Sequence, residues 1–497
     1  MTAGQAAPRT YGGWRRRRPM GLLGLGPAGT LVLFAAVIGV LASVTVSPRT
    51  AEFAAPPVIA GAGLSLVRVN GMPFATLLWV KARWRLATAR DWTSYQAGTV
   101  TARPGAFQLP GVLAPTALVS AEDGYGGRYG LVWDRRTGCL TATVKVTPSS
   151  PWLADTADAD TWVAGWGAWL AMLGYQPAVC WVSVTVETAP ESGTRLADQV
   201  AAAASPWAPE AARQIVAAVA AAAPSASAST SVRISITVDP RADPAKPGTL
   251  AEAAAAVTRT LHGLLPGLGG CGVAVDGLAS PAELAGMVRG AYDPAARGEI
   301  ARVLAADPDG RKGTSPTWLD AGPVGAQEFS DFYQHDSGQS ISWTWHEAPR
   351  QHVTSGVLAR LAGPAPMIKR VTLQYRPLPA AAAARAIEAE VNAAGFRDAY
   401  RRRTGRDSTA RDSADSARAA QAAIEEASGS GVVLMALYVT ATVTDAGALP
   451  QAAASVEQAA ESSLIRLRRA YNSQSAAFAA GLPCGICPPL LSRRWPR

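Results

Sequence analysis

Charge is absent from a long stretch near the start of this 497-residue chain, which carries no Asp, Glu, Lys or Arg between Arg18 and Arg49. A second uncharged run covers residues 53–67. Lysine is scarce throughout, with only Lys81, Lys145, Lys246, Lys312 and Lys369. None of them follows a glycine. The Gly-Lys step of a G-x-x-x-x-G-K-[ST] loop is therefore missing, which excludes that mode of phosphate binding. Histidines number four. His346-Glu347 and His352 come nearest to a metalloprotease helix, but six residues separate the histidines where one helical face needs four. The five cysteines are scattered and odd in number, which fits a reducing compartment and argues against a disulfide framework. Cys484-Gly-Ile-Cys487 is a lone C-x-x-C flanked by Pro483 and Pro488. With no second ligand pair it reads as small apolar residues in a proline-pinned loop. No G-x-S-x-G nucleophile elbow is present. The expectation is a chain with no catalytic, cofactor-binding or metal site.

The uncharged runs suggest membrane segments. About 20 helical residues cross a bilayer core, and the first run exceeds that length; it is also too long for the apolar part of a signal peptide. The second is shorter and has Pro56-Pro57 near its start, which makes it a shorter span or a re-entrant segment. Arg15, Arg16, Arg17 and Arg18 precede the pair, while Arg68, Lys81 and Arg85 follow it. The positive-inside rule then places both flanks in the cytoplasm. Residues 71–98 interleave Trp79 and Trp84 with Lys81 and Arg85, as in a helix lying at a membrane interface or packed on the soluble body. Much of the formal net charge of +9 sits in these flanks and in the last residues. It reads as contact with anionic lipid rather than with nucleic acid. The expected localisation is multi-pass in the cytoplasmic membrane with both termini cytoplasmic.

The remainder mixes strands and helices. Residues 128–146 read as a hairpin turning at Gly138. Trp162, Trp166, Trp169, Leu170 and Leu173 share one helical face, as core residues do. Strands are expected at 179–186, 232–238, 271–275, 367–375 and 432–443, with a strand pair within 325–345. Helices are expected at 196–222, 250–265, 280–292, 378–394, 397–428 and 448–469. Ser280-Pro-Ala-Glu283 carries a capping signature. Residues 293–316, rich in Asp-Pro and Asp-Gly breakers, read as an exposed connection. The fold class is α+β: an N-terminal two-helix transmembrane hairpin followed by a large mixed α/β cytosolic body, consistent with two related lobes. The parts are a basic arm (1–18), the hairpin (19–70), a juxtamembrane amphipathic segment (71–98), a β-hairpin region (99–150), a first lobe (151–295), a linker (296–324), a second lobe (325–487) and a basic tail (488–497).

Several strings carry a family resemblance. They are Trp162-Val-Ala-Gly-Trp-Gly-Ala-Trp-Leu170 before Val182-Ser-Val-Thr-Val186, then Gly277-Leu-Ala-Ser-Pro-Ala-Glu-Leu284 and Arg289-Gly-Ala-Tyr-Asp-Pro294. Near the end stand Leu467-Arg-Arg-Ala-Tyr-Asn-Ser-Gln474 and Phe478-Ala-Ala-Gly-Leu-Pro-Cys-Gly485. Together they resemble an actinobacterial family of integral membrane proteins found with conjugation-type, type IV-like secretion ATPases. In that family the hairpin resembles PrgI-type subunits. The body resembles the N-terminal, non-ATPase domain of TrbE/TraC-type ATPases, where a similar Arg…Gln…Phe…Leu-Pro string closes the domain. The resemblance implies a non-catalytic scaffold, oligomeric within its machine, that anchors a separately encoded ATPase and contacts the bilayer. It makes Arg468, Arg469, Tyr471, Gln474 and Phe478 candidate partner contacts. The overall layout is also similar to EccE, a membrane component of type VII secretion systems. An alternative of a different class is a membrane-anchored enzyme such as a glycosyltransferase-like protein.

Overall fold

The computed structural model describes residues 9–12, 68–69, 72–98, 108–149, 155–190, 207–222, 228–349, 351–403, 419–425 and 431–492, with separate positions at 14, 34–35, 37–39, 41–42, 200, 203, 205 and 417. The chain divides into two compact units. One is residues 14–94, and the other comprises 1–13 with 95–497.

In the smaller unit, β1 (Arg68–Val69) and β2 (Met72–Pro73) pair antiparallel and lead into helix α1 (Phe74–Ala89). Apolar side chains lie on more than one side of α1: Leu77 and Val80 are half-buried while Leu78, Trp79 and Leu86 are exposed. It lacks the single apolar stripe of an interfacial helix.

The expected transmembrane hairpin is corrected by the structure. Among the described residues no helix is long and apolar enough to cross a membrane. Helix α1 has 16 residues and contains Lys81, Arg83 and Arg85. Most of 19–70 lies outside the described residues, and Arg68 there is in a strand. An uncharged run permits a span, but spanning requires a continuous apolar helix of about 20 residues. The multi-pass membrane localisation falls with the hairpin.

The larger unit is mixed α/β around one 13-stranded sheet. After the edge strand β3 (Ser94–Gln96) come β4 (Thr116–Glu122), β5 (Arg128–Asp134) and β6 (Leu140–Pro148). Helix α2 (Thr156–Leu173) leads to β7 (Val179–Pro190), helix α3 (Glu210–Ala222) to β8 (Ala228–Val238), and helix α4 (Leu250–Leu264) to β9 (Val273–Leu278). Helices α5 (Pro281–Tyr292) and α6 (Arg297–Ala306) follow. The chain then repeats itself. It runs through β10 (Gly325–Glu328), β11 (Tyr333–His335) and β12 (Gly338–Glu347), helix α7 (Ala359–Ala362), β13 (Ile368–Pro377), helix α8 (Ala380–Arg403), β14 (Val433–Val443), helix α9 (Leu449–Ser462), β15 (Arg466–Arg469) and helix α10 (Gln474–Ala480).

The repeat is visible in the strand order. The first half runs β4-β5-β6-β8-β7 with β9 on β6, and the second runs β10-β11-β12-β14-β13 with β15 on β12. Within each half, β9-β6-β8-β7 and its counterpart follow the split βαβ, ferredoxin-like order. The halves join through β7 and β13, antiparallel from Lys369↔Thr188 to Tyr375↔Val182. Matching Thr141 and Thr143 of β6 with Ser340 and Ser342 of β12, and following the registers across each half, brings Thr185 into correspondence with Thr372. Those two residues face each other across the join. The halves are therefore related by a pseudo-two-fold axis through this pair, like the self-complementary interface of a symmetric dimer.

Alternation along the strands gives the sheet two different faces. On one face, Leu131, Leu140, Ala142, Val144, Val182, Ile234 and Ile236 pack with α2 and α4; Val371, Leu437, Val439 and Ala441 pack with α7 and α9. Here Trp169, Leu170 and Leu173 are buried as their helical spacing predicts, and Trp169 Nε1 donates to the Leu264 carbonyl at 3.0 Å. The other face carries a buried band of hydroxyls, beside an apolar cluster in which Val132 of β5 joins Leu284, Ala285 and Val288 of α5. Thr141 bonds Thr237 at 2.9 Å, Thr143 bonds Ser235 at 3.0 Å, Ser340 bonds Thr442 at 2.7 Å and Ser342 bonds Thr440 at 2.9 Å. Thr185 and Thr372 bond at 3.0 Å on the pseudo-axis.

Several local expectations differ from the structure. Within the helix expected over 196–222, α3 begins at Glu210. Those expected at 378–394 and 397–428 are continuous in α8 as far as Arg403, with most of 404–428 outside the described residues. Residues 293–316 contain α6, whose Arg297 pairs with Glu187 of β7. The helix expected over 448–469 stops at Ser462, and after Leu464 at φ +57° the chain becomes β15, paired with β12. The strand pair of 325–345 is three strands.

Replacing Thr185 by Val should cost about 1–3 kcal/mol, because the Thr372 hydroxyl loses its partner in a buried layer. Replacing both should come close to neutral. Urea unfolding of the two single variants and the double variant measures the coupling; additive losses would contradict it.

Candidate functional site

The hydroxyl band changes character beside the Thr185–Thr372 pair, where charged side chains replace hydroxyls. Arg370 of β13 lies opposite Glu187 of β7, and Arg233 of β8 lies opposite Thr185. Arg297, at the start of α6, completes the cluster. Glu187 is shared by two arginines: Oε2 accepts from Arg233 Nη1 at 3.2 Å and Oε1 from Arg297 Nη1 at 2.5 Å. Burial alone would push the Glu187 carboxyl up, but Arg297, Arg233 and Arg370 together outweigh it and hold it well below the usual carboxylate range.

Arg370 is 2% exposed, and among the described residues none of its three guanidinium nitrogens has a hydrogen-bond partner. Burial lowers its guanidinium to about 10, with Glu187 opposing, so it remains charged at neutral pH. It lies over the ring of Phe478, 4.5 Å from Cζ to the ring centroid. Such a contact contributes up to about 2 kcal/mol when desolvated. Burying an ion costs several kcal/mol even after relaxation.

The C-terminal segment covers this band and straps the halves together. Gln474 Oε1 accepts from the Ser342 backbone N–H at 2.7 Å on β12. Further along, the Gly481 carbonyl accepts from Arg233 Nη2 at 2.7 Å on β8, and the Ile486 carbonyl accepts from Gln374 Nε2 at 2.7 Å on β13. Gly485 has φ +63°, and an added Cβ would stand 2.0 Å from Thr141 Oγ1. Only glycine lets the backbone come this close to β6.

Beside the cluster lie Tyr292, Tyr333, His335 and Phe478 in mutual ring contact. His335 is fully buried. Nδ1 meets the Tyr292 carbonyl at 2.6 Å and Nε2 meets Ser340 Oγ at 2.8 Å. A carbonyl only accepts, so Nδ1 carries the proton and Nε2 accepts from the serine hydroxyl. Burial, with the Arg370 charge adding, lowers the imidazole to about 4. Burial also pushes the Tyr292 phenol well up, and the Cys484 thiol up to about 12.

The sequence-named residues fall in different places. Gln474 and Phe478 are buried inside the chain, where they hold α10 to the sheet. Arg469 pairs with Glu457 of α9, Nε to Oε1 at 2.8 Å, and Arg468 is opposite Thr344 in β15. Tyr471 is 49% exposed, the most accessible member of the set. Of the interface set, Trp79 is 65% exposed, Lys81 and Arg85 are exposed, Trp84 is half-buried and Arg68 is in β1. Arg15, Arg16, Arg17 and Arg18 lie outside the described residues. His346 and Glu347 are in strand β12, so they are not on a helix at all. Cys484 and Cys487 are buried in the strap, and burial pushes the Cys487 thiol up to about 12. Among the described residues, no three His, Cys, Asp or Glu side chains are placed to share a metal ion. Sequence reading missed the Arg233–Glu187–Arg297–Arg370 cluster. Its one local signal is a charged residue in place of an apolar or hydroxyl one within the β-patterns around 187, 233 and 370.

Compared with known proteins, the chain matches no protein-family model and no curated sequence.

The buried His335 makes stability pH-dependent. The unfolded imidazole titrates near 6.5 and the folded one near 4. Above pH 6.5 both states are neutral and the contribution is complete. As pH falls towards 4, the unfolded state takes up a proton that the folded state refuses, and about 3 kcal/mol is lost. Unfolding free energies measured from pH 7 to 4 should fall more steeply in the native chain than in His335→Gln. Equal slopes would show that His335 does not titrate in this way.

Proposed function

We propose that this chain is a non-catalytic scaffold of a secretion or conjugation machine, on which a separately encoded ATPase docks. The observation that carries this reading is the place of the resembling strings. Leu467–Gln474 and Phe478–Gly485, which resemble the domain-closing strings of the ATPase N-terminal domains, form the strand, helix and strap that hold the two halves together. The use of the reactive side chains also supports it. Cys484, Cys487, His335 and Glu187 are all buried and committed to internal packing or pairing. A rigid continuous sheet suits a platform that another protein binds.

The exposed phenol of Tyr471, next to β15, is the natural contact for that partner, since accessible tyrosines are over-represented among interface hot spots. Co-expressed with a secretion-class ATPase that carries an intact P-loop, the chain should co-elute in gel filtration. Tyr471→Asp should weaken that association at least about tenfold, a loss of about 1.4 kcal/mol, with an unchanged melting temperature. Failure to associate, together with saturable binding of a nucleotide-sugar to the isolated chain, would overturn the proposal in favour of an enzyme.

A further inference from the structure

We propose that Arg370, with Arg233 and Arg297, holds a small monovalent inorganic anion of the halide class inside the chain, between the sheet and the C-terminal strap. This inference does not depend on the scaffold reading.

The charge count points to it first. Three guanidinium groups meet one carboxylate, Glu187, whose two oxygens are already taken by Arg233 and Arg297. The other titratable groups at the enclosure do not supply the missing negative charge. Tyr292 and Cys484 are held in their neutral forms by burial, and His335 is a neutral imidazole at physiological pH. The Arg297 side chain is 29% exposed. Arg233 and Arg370, however, are buried with Glu187, so one positive charge is left over in a region closed to solvent, where unpaired charge is most costly.

The donors point the same way. Nε, Nη1 and Nη2 of Arg370, and Nε of Arg233, find no acceptor among the described residues. Arg370 Cζ lies over the ring of Phe478, a contact that brings no counter-charge to the guanidinium. Arg370 is thus built to present N–H groups that no described residue uses.

The surroundings set the size. The Phe478 ring is 4.5 Å from Arg370 Cζ, and a Cβ added to Gly481 would stand 3.5 Å from Thr372 Oγ1 and 3.8 Å from Arg370 Cβ. The Arg370 guanidinium nitrogens are buried beneath the strap, which suits a single small ion rather than a nucleotide, a phosphate ester or a peptide carboxylate. A bound ion there would join β7, β8 and β13 to the strap beside the pseudo-axis. Because an anion that binds only the folded chain stabilises it by mass action, it would also strengthen the seam between the halves.

The test uses the full chain. Melting temperatures are measured in sodium gluconate and in sodium bromide at equal ionic strength, which holds general screening constant. Crystals are also grown in bromide for anomalous diffraction. The expected results are a saturable rise of a few degrees in bromide and an anomalous peak within hydrogen-bond distance of Arg370. Arg370→Leu, where it folds, should lose the rise. The peak in the native protein decides the matter whether or not that variant folds. Bromide at Arg370 supports the proposal even if the thermal shift is small. An ordered water at that place, no density there, or a halide-dependent rise with the ion bound elsewhere would overturn it.

Discussion

The body depends on one antiparallel pairing, that of β7 with β13. Each half is a sheet with its own helices and its own apolar core on one face. When the equivalent strands pair about the Thr185–Thr372 axis, the two polar faces become one continuous band, which the C-terminal segment covers together with α5. The same pairing sets Arg370 opposite Glu187 and brings Arg233 and Arg297 to them. A shift of one residue would send the charged side chains into the apolar cores, because successive residues on a strand point to opposite faces.

A buried polar band specifies register more sharply than an apolar core does. Apolar side chains tolerate small displacements, whereas paired hydroxyls satisfy each other only within hydrogen-bond distance. Ser340 with Thr442 and Ser342 with Thr440 repeat, in the second half, the pairing of Thr141 with Thr237 and Thr143 with Ser235 in the first. The strap then fixes the halves by backbone carbonyls, at Gly481 and Ile486, and by the close approach of Gly485 to Thr141. This arrangement gives the segments Leu467–Gln474 and Phe478–Gly485 a physical role: they complete the sheet and close the band.

Much of the secondary structure was legible in local pattern. The tryptophan spacing of 162–173 identified a helix and its buried side, the β-runs at 179–186, 232–238 and 432–443 are central strands, and the capping box at Ser280 and Glu283 starts α5. Local pattern misled where tertiary contact overrode it. Residues 466–469 continue a helical spacing, yet they pair with β12 because that edge is open to them. Arg297 lies in a stretch of breaker residues, yet α6 forms there and points the guanidinium at Glu187. The uncharged N-terminal runs fit a membrane-spanning pattern, but composition permits a span without requiring one, and no described helix has the length and apolarity to cross.

The sequence by itself determined the class of the body as mixed α/β, the faces of its main helices and strands, the lack of a P-loop lysine and the strings on which the family resemblance rests. These properties depend on residues close together in the chain, where periodicity and spacing carry the information. Only the tertiary structure decided that the halves are equivalent, that Gln474 and Phe478 are buried, and that three arginines converge on one glutamate. The last depends on residues up to 183 positions apart, from Glu187 to Arg370. Their meeting is set by strand order and register, which no local window of the sequence encodes.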